Sequence, residues 1–242
     1  MRGQAMDSQC KDTVVEYYDS IAATYDESRF GGSYGRFIDE EERKILDALF
    51  PSDKQERRLE LGCGTGRLTG YADCALDASA EMLAIAKKRH DSVEFTQAFA
   101  DRTGYADDSF DAVYAFHMLM HLEPEVIENI FRETNRILKP GGRFVFDIPS
   151  KNRRRLLGHD QRSWHCGTAM SQEDIVSIAA GFSLGQSFGI MLMPVHILPE
   201  GIRQKLLSLD IKLANGIMKG YSSYLVFELI KESSPDRENI IS

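Results

Sequence analysis

Glu60-Leu61-Gly62-Cys63-Gly64-Thr65-Gly66 decides how this chain folds. The run closes a short apolar stretch, Leu59–Leu61, which has the character of a buried strand. Glycine is needed where backbone turns tightly or lies against a ligand. The glycines fall as G-x-G-x-G. A dinucleotide fingerprint, G-x-G-x-x-G, would put its third glycine where Arg67 stands, and no Lys-Ser/Thr comes after it to make a P-loop. Glycines also occur in ordinary turns, so the reading as a ligand loop depends on the neighbouring strand. That strand, Cys74–Leu76, ends at Asp77. In doubly wound sheets an acidic residue there faces the ligand crevice and accepts from ribose hydroxyls. The link from Gly62 to Ala72 is so short that its helix is limited to one or two turns.

Outward from this loop the pattern alternates. Ser79 caps a helix that runs to Arg89, with Glu81 in its first turn and Lys87, Lys88 and Arg89 in its last, as the helix dipole favours. Val93–Thr96, Ala112–Phe116 and Arg143–Ile148 are strand-like. Glu125–Leu138 is a helix opened by Pro124 and stopped by Lys139-Pro140-Gly141-Gly142. Strands separated by helices predict βαβ units and a parallel sheet. Beyond Pro149, Lys151–Arg162 is a basic loop or short helix. Ser171–Ala180 is helical, Phe182–Met193 a long strand, Ile202–Met218 a helix with an apolar stripe, and Ser222–Ile230 a last strand. Upstream, Asp12–Ser28 gathers Val14, Tyr17, Tyr18, Ile21, Ala22 and Tyr25 on one helical face, and a second helix spans Arg36–Phe50. Residues 1–11 look frayed, and the polar tail after Glu232 is expected to be disordered. The organisation predicted is a helical lid over 1–50 and a catalytic unit over 51–242, together one compact domain.

The 242 residues suit one large domain, and 43% apolar with 27% charged residues is a globular composition. A net charge of −8 argues against a broad nucleic-acid footprint, which needs a basic surface. No apolar run is long enough to span a membrane and no secretory leader is visible, so a cytoplasmic location is expected. The four cysteines show no CxxC spacing and are expected to be reduced thiols.

Four blocks in order, Leu59–Thr69, Leu76–Leu83, Asp108–Val113 and Leu138–Gly142, make the chain resemble a class I S-adenosylmethionine-dependent methyltransferase. Within that class it is most similar to the small-molecule and quinone-biosynthesis enzymes. The resemblance covers about residues 13–150. It implies an α/β, doubly wound, Rossmann-like sheet of seven mostly parallel strands with the last one antiparallel. It implies S-adenosylmethionine as donor, leaving S-adenosylhomocysteine. Carried over by position, Glu60 helps place the methionine ammonium. Gly62, Cys63, Gly64 and Gly66 give the close backbone approach. Asp77 accepts the ribose diol, Ala78 and Met82 flank the adenine, Ala100 and Asp101 meet its edge, and Phe116 lies beside the sulfonium. One position departs from the pattern. Where the family usually carries an acidic residue for the adenine amino group, this chain has Phe99. Either Asp101 replaces it or Asp101 is a solvated loop residue.

Methyl transfer from a sulfonium is an in-line displacement, so the site must align the partners and exclude water. Tyr17 and Tyr25, with Tyr18 between, offer aromatic faces for a lid, or simply pack. His117 and His121 come after the fourth strand, four residues apart, and either can serve as a general base. Packing is the other reading, and the favoured one for His121. No third ligand pattern accompanies them, so no metal is expected. Arg154, within the cluster Lys151, Arg153, Arg155 and Arg162, suits an acidic group on the acceptor, and Trp164 and His165 would line the same pocket. The Ile202–Ile217 stripe is read as core, with a homodimer face or a substrate roof as alternatives. The expected partner is a small-molecule acceptor. The rival functions are a donor-binding protein without transfer activity and an RNA-modifying enzyme.

Overall fold

In the computed structural model the described residues are 13–51, 54–158 and 167–233. Seven strands form one sheet: β1 Arg58–Leu61, β2 Cys74–Asp77, β3 Glu94–Gln97, β4 Phe110–Ala115, β5 Leu138–Pro149, β6 Phe182–Ile190 and β7 Tyr224–Lys231. Their order is β3-β2-β1-β4-β5-β7-β6. β1 lies parallel between β2 and β4, with Leu59 opposite both Cys74 and Val113. β7 is antiparallel to both of its neighbours, as expected of the last strand. β1 is buried along its whole length: Leu59 and Leu61 pack into the core on one face, while Glu60 between them is buried on the other. The chain runs outward from β1 through β2 to β3, then returns to place β4 on the other side. The carboxyl ends of β1 and β4 therefore open a crevice at the switch point.

Helices cover both faces. They are α1 (13–21), α2 Tyr25–Phe30, α3 Ser33–Leu49, α4 Ala80–Arg89, α5 Pro124–Ile137, α6 Lys151–Leu157, α7 Gln172–Ile178 and α8 Glu200–Ala214. The alternation along β5 assigns the layers. Phe144, Phe146 and Ile148 point to the face where Ile127, Ile130 and Phe131 of α5 pack. Val145 points to the other, with Phe37, Ile38 and Leu46 of α3 and with Tyr114.

Several expectations need correction. The helix predicted over Asp12–Ser28 is broken by a 3₁₀ turn at Ala22–Thr24, and α2 resumes at a new angle as far as Phe30. The link after β1 contains only a 3₁₀ turn, Thr69–Tyr71, pinned where the buried Tyr114 hydroxyl donates to Leu68 O at 2.9 Å. The Lys139-Pro140-Gly141-Gly142 stop lies within β5 as a bulge. Leu138 pairs with Phe110 while Arg143 pairs with Ala112, and Gly141 takes a φ of 76°. The stripe read as core on the helix after Pro199 packs only in part. Leu206 and Leu207 meet the core, whereas Ile202, Leu209 and Ile217 are exposed. The frayed start and polar tail fall outside the described residues, apart from Glu232 and Ser233. No described helix is long and apolar enough to cross a membrane.

Candidate active site

A cleft opens at the carboxyl ends of β1, β2 and β4. Its floor is the glycine loop. Gly62, Gly64 and Gly66 all have positive φ, at 64°, 53° and 86°. Cys63 N donates to Leu76 O at 3.0 Å and ties the loop to β2. A Cβ added at Gly64 would meet nothing within 4 Å, so this backbone is bare toward the cleft. Asp77 ends β2 and is held by the loop. Its Oδ2 accepts from Gly64 N and its Oδ1 from Ser79 N, both at 2.8 Å. Burial raises its carboxyl above the usual range despite these bonds. Each oxygen keeps a second lone pair for a ligand hydroxyl.

Glu60 lies deeper, accepting from the Thr69 hydroxyl. Burial pushes its carboxyl up to about 8, so it holds a proton at neutral pH until a cation arrives. Burial likewise pushes the Cys63 thiol up, which leaves it inert. Ala78, Met82, Ala100, Asp101 and Phe116 line the same cleft, as do Ala98 and Phe99. Phe99 is half-exposed, at 39%. The adenine-edge wall thus has the departure at Phe99 and its candidate substitute Asp101 side by side.

The N-terminal helices roof this cleft. Asp19 accepts from the Ser79 hydroxyl at 2.5 Å, and Asp26 accepts from the Thr65 hydroxyl at 2.6 Å and pairs with Arg89. Tyr25 lines the cleft, and burial pushes its hydroxyl up to about 12. Tyr17 does not line it. Tyr18 takes that place, with the Tyr17 ring edge-on to it at 5.3 Å. Tyr18 and Tyr25 are seven residues apart, the spacing that puts two side chains on one helical face.

His117 and His121 both line the cleft. His121 lies edge-on to Tyr18. His117 has a left-handed φ of 54° and is fixed on several sides. Its backbone N–H donates to Asp147 Oδ1 at 2.7 Å, and its Nε2 lies 2.6 Å from Glu42 Oε1. Its Nδ1 is 3.8 Å from Asp147 Oδ2, which is buried without a partner. The rings of Phe30 and Tyr224 flank the imidazole. Glu42 is fully buried, and its other oxygen accepts from Arg67 at 2.7 Å. Burial would raise the Glu42 carboxyl, but His117 and Arg67 outweigh it and hold it low. Burial pushes Asp147 up to about 6. Burial would lower His117, but the two carboxylates outweigh it and raise its proton affinity.

Three residues of the basic cluster are engaged in the structure, and Arg162 lies outside the described residues. Arg153 donates to Leu192 O and Tyr221 O, Lys151 to Asp174, and Arg154 to Gly167 O. Arg154 is not among the residues that line the cleft. Trp164 and His165 lie outside the described residues. Glu42, Asp147, Arg67 and Phe30 join the site without having stood out in the sequence. Glu42 stands in the charged run Asp39–Lys44 and looks solvated. The available signal is its position midway between Ile38 and Leu46, on the face that α3 buries. For Asp147 the signal is a carboxylate within the apolar strand Phe144–Ile148.

A family model described as a methyltransferase domain matches residues 59–146, from the start of β1 into β5. That stretch is similar to a methyltransferase domain. Over 146 residues it is 30% identical to the demethylmenaquinone methyltransferase of Chlorobaculum parvum, a match covering 56% of this chain and 59% of that one. It is 30% identical over 152 residues to a malonyl-[acyl-carrier protein] O-methyltransferase of a Marinomonas species, covering 57% and 55%. The chain thus spans only a little over half the length of these curated relatives. The methyltransferase fold extends further than the sequence match. A Thermotoga maritima structure titled a "possible histamine N-methyltransferase" superposes with a TM-score of 0.69 at 21% identity, over 90% of this chain and 99% of that one. The methyltransferase domain contains all of the glycine loop, Asp77 and both histidines. Glu42, Tyr18, Tyr25 and Asp147 lie beyond its ends.

Proposed function

We propose that this protein is a methyltransferase that moves a methyl group from S-adenosylmethionine to a small-molecule acceptor. The observation that carries the reading is Asp77, a half-buried carboxylate in the cleft held at the bare backbone of Gly64, with lone pairs for a ribose diol. Glu60 would face the methionine ammonium, and a cation there would draw off its proton. Ala78, Met82 and the Ala98–Asp101 wall would take the adenine. The bound donor supplies an electrophilic methyl group on a sulfonium. Tyr18, Tyr25 and Phe30 close the cleft with aromatic faces, which exclude water and suit a positive sulfur. His117 and His121 are the candidate proton acceptors.

The relatives suggest the range of acceptors without fixing one. They are named for a quinone and a carrier-bound acid, which between them offer carbon and oxygen nucleophiles. The net charge of −8 favours a small molecule over RNA. A binding protein without transfer activity is the second reading, and the hydrophobic Phe99 at the adenine edge favours it.

Incubation with S-adenosylmethionine and a library of small phenols, amines and carboxylic acids is expected to yield S-adenosylhomocysteine together with a methylated library member. Tight donor binding with no product from the library or from RNA would favour the second reading.

A further inference from the structure

His117 is held by two carboxylates that come from different layers of the fold. Glu42 projects from α3, in the layer packed on one face of the sheet, and Asp147 from β5 in the sheet itself. Each carboxylate has one oxygen committed elsewhere and the other turned to the imidazole. Glu42 Oε2 takes Arg67 and its Oε1 takes Nε2, at 2.7 and 2.6 Å. Asp147 Oδ1 takes the His117 backbone N–H, while its buried Oδ2 has no partner and lies 3.8 Å from Nδ1. The bond to Glu42 fixes the tautomer, because a carboxylate accepts and Nε2 must donate. The lone pair of the neutral ring is then on Nδ1, which has no hydrogen-bond partner among the described residues. The ring itself is part of the cleft wall.

We propose that Glu42, His117 and Asp147 form the proton-accepting unit for an acceptor methylated at an O–H or N–H, with Glu42 and Asp147 as positioning residues for His117. As oxygen or nitrogen takes the methyl carbon, the C–S electron pair stays on sulfur and the acceptor's proton passes to Nδ1. The imidazolium so formed lies between Glu42 Oε1 and Asp147 Oδ2. Charge in the cluster supports this. Arg43 and Arg67 pair with Asp39 and Glu42, so the Asp147 carboxylate leaves one negative charge that a single added proton on His117 cancels. The same three groups have the donor atoms of a cation site, all within 4.8 Å of one another. A divalent ion would overshoot that balance, and the adjacent Arg67 opposes it. The remaining neighbours of the ring, Phe30 on α2 and Tyr224 on β7, are uncharged at neutral pH.

This rests on the cleft being the donor site, and the test separates the two. NMR of the ring nitrogens in histidine-labelled protein is recorded across pH, with and without S-adenosylhomocysteine. Above its raised titration midpoint, His117 is expected to be neutral with its proton on Nε2, in the free protein as well as the complex. Glu42→Gln should lower the His117 titration midpoint by about one pH unit or more and weaken that tautomer preference. Asp147→Asn should lower the midpoint and keep the tautomer. Both variants should bind S-adenosylhomocysteine like the parent, which a merely structural lesion would not allow. A neutral ring with its proton on Nδ1, or a midpoint that Glu42→Gln leaves in place, would overturn the proposal. So would stoichiometric Mn²⁺ erasing the His117 signals, which would make the cluster a cation site. Failure to bind S-adenosylhomocysteine would overturn the donor reading instead, with the tautomer still decided in the free protein.

Discussion

Asp77→Ala is expected to weaken S-adenosylhomocysteine binding by about 1–3 kcal/mol, roughly ten- to a hundredfold, measured by calorimetry. Two effects combine. The ribose loses its acceptor, and the Gly64 and Ser79 N–H groups lose the carboxylate that holds the loop in its ligand-ready shape. Asp77→Asn separates them. Its single carbonyl oxygen can keep one backbone bond but offers fewer lone pairs, so its affinity should fall between parent and alanine variant. Because the parent carboxyl is raised by burial, neither variant should melt much earlier than the parent. Unchanged affinity in the alanine variant would rule out the ribose contact.

Arg67→Ala is expected to cost about 3–5 kcal/mol of stability, read from urea unfolding. The Arg67 side chain is only 14% exposed, bridges Asp39 and Glu42, and stacks on Phe30 at 4.0 Å. Removing it leaves the fully buried Glu42 with His117 alone. The penalty is that of a stranded buried charge, and it falls on the contact between the roof and the glycine loop. A double replacement, Arg67→Met with Glu42→Leu, should recover much of the loss, since an apolar pair has no charge to strand. A loss below about 1 kcal/mol for Arg67→Ala would mean that the cluster is solvated well enough to tolerate the missing cation.

The parts of the fold that obey local rules were legible in the sequence. Leu59 and Leu61 mark β1 because they fill the core beneath the glycine loop, and Ser79 announces α4 because its hydroxyl accepts from Met82 N. The glycine loop and Asp77 were legible because positive φ and a strand-end carboxylate each demand particular residue types. What depends on distant contacts was not. The 3₁₀ break at Ala22–Thr24 carries no proline or glycine, and which of two adjacent tyrosines, Tyr17 or Tyr18, lines the cleft depends on how the helix docks. Lys139-Pro140-Gly141-Gly142 has the composition of a turn, yet the pairing of Leu138 with Phe110 keeps it in the sheet. Arg153 and Lys151 look available for a ligand until their partners, carbonyls from past Ile190 and Asp174 of α7, are seen. Glu42 and His117 are 75 residues apart, so only the folded chain brings them together.

Whether the cleft holds S-adenosylmethionine is decided by calorimetric titration with S-adenosylmethionine and S-adenosylhomocysteine, with NAD as control. The titration is best run at pH 7 in two buffers of different ionisation enthalpy. Glu60 is protonated below about 8 in the free protein, and the ligand's ammonium should favour its carboxylate. Binding should therefore release a proton, and the apparent enthalpy should depend on buffer. The expected result is micromolar binding of both sulfur compounds, proton release that Glu60→Gln abolishes, and no binding of NAD. Binding of NAD with no binding of either sulfur compound would contradict the donor site.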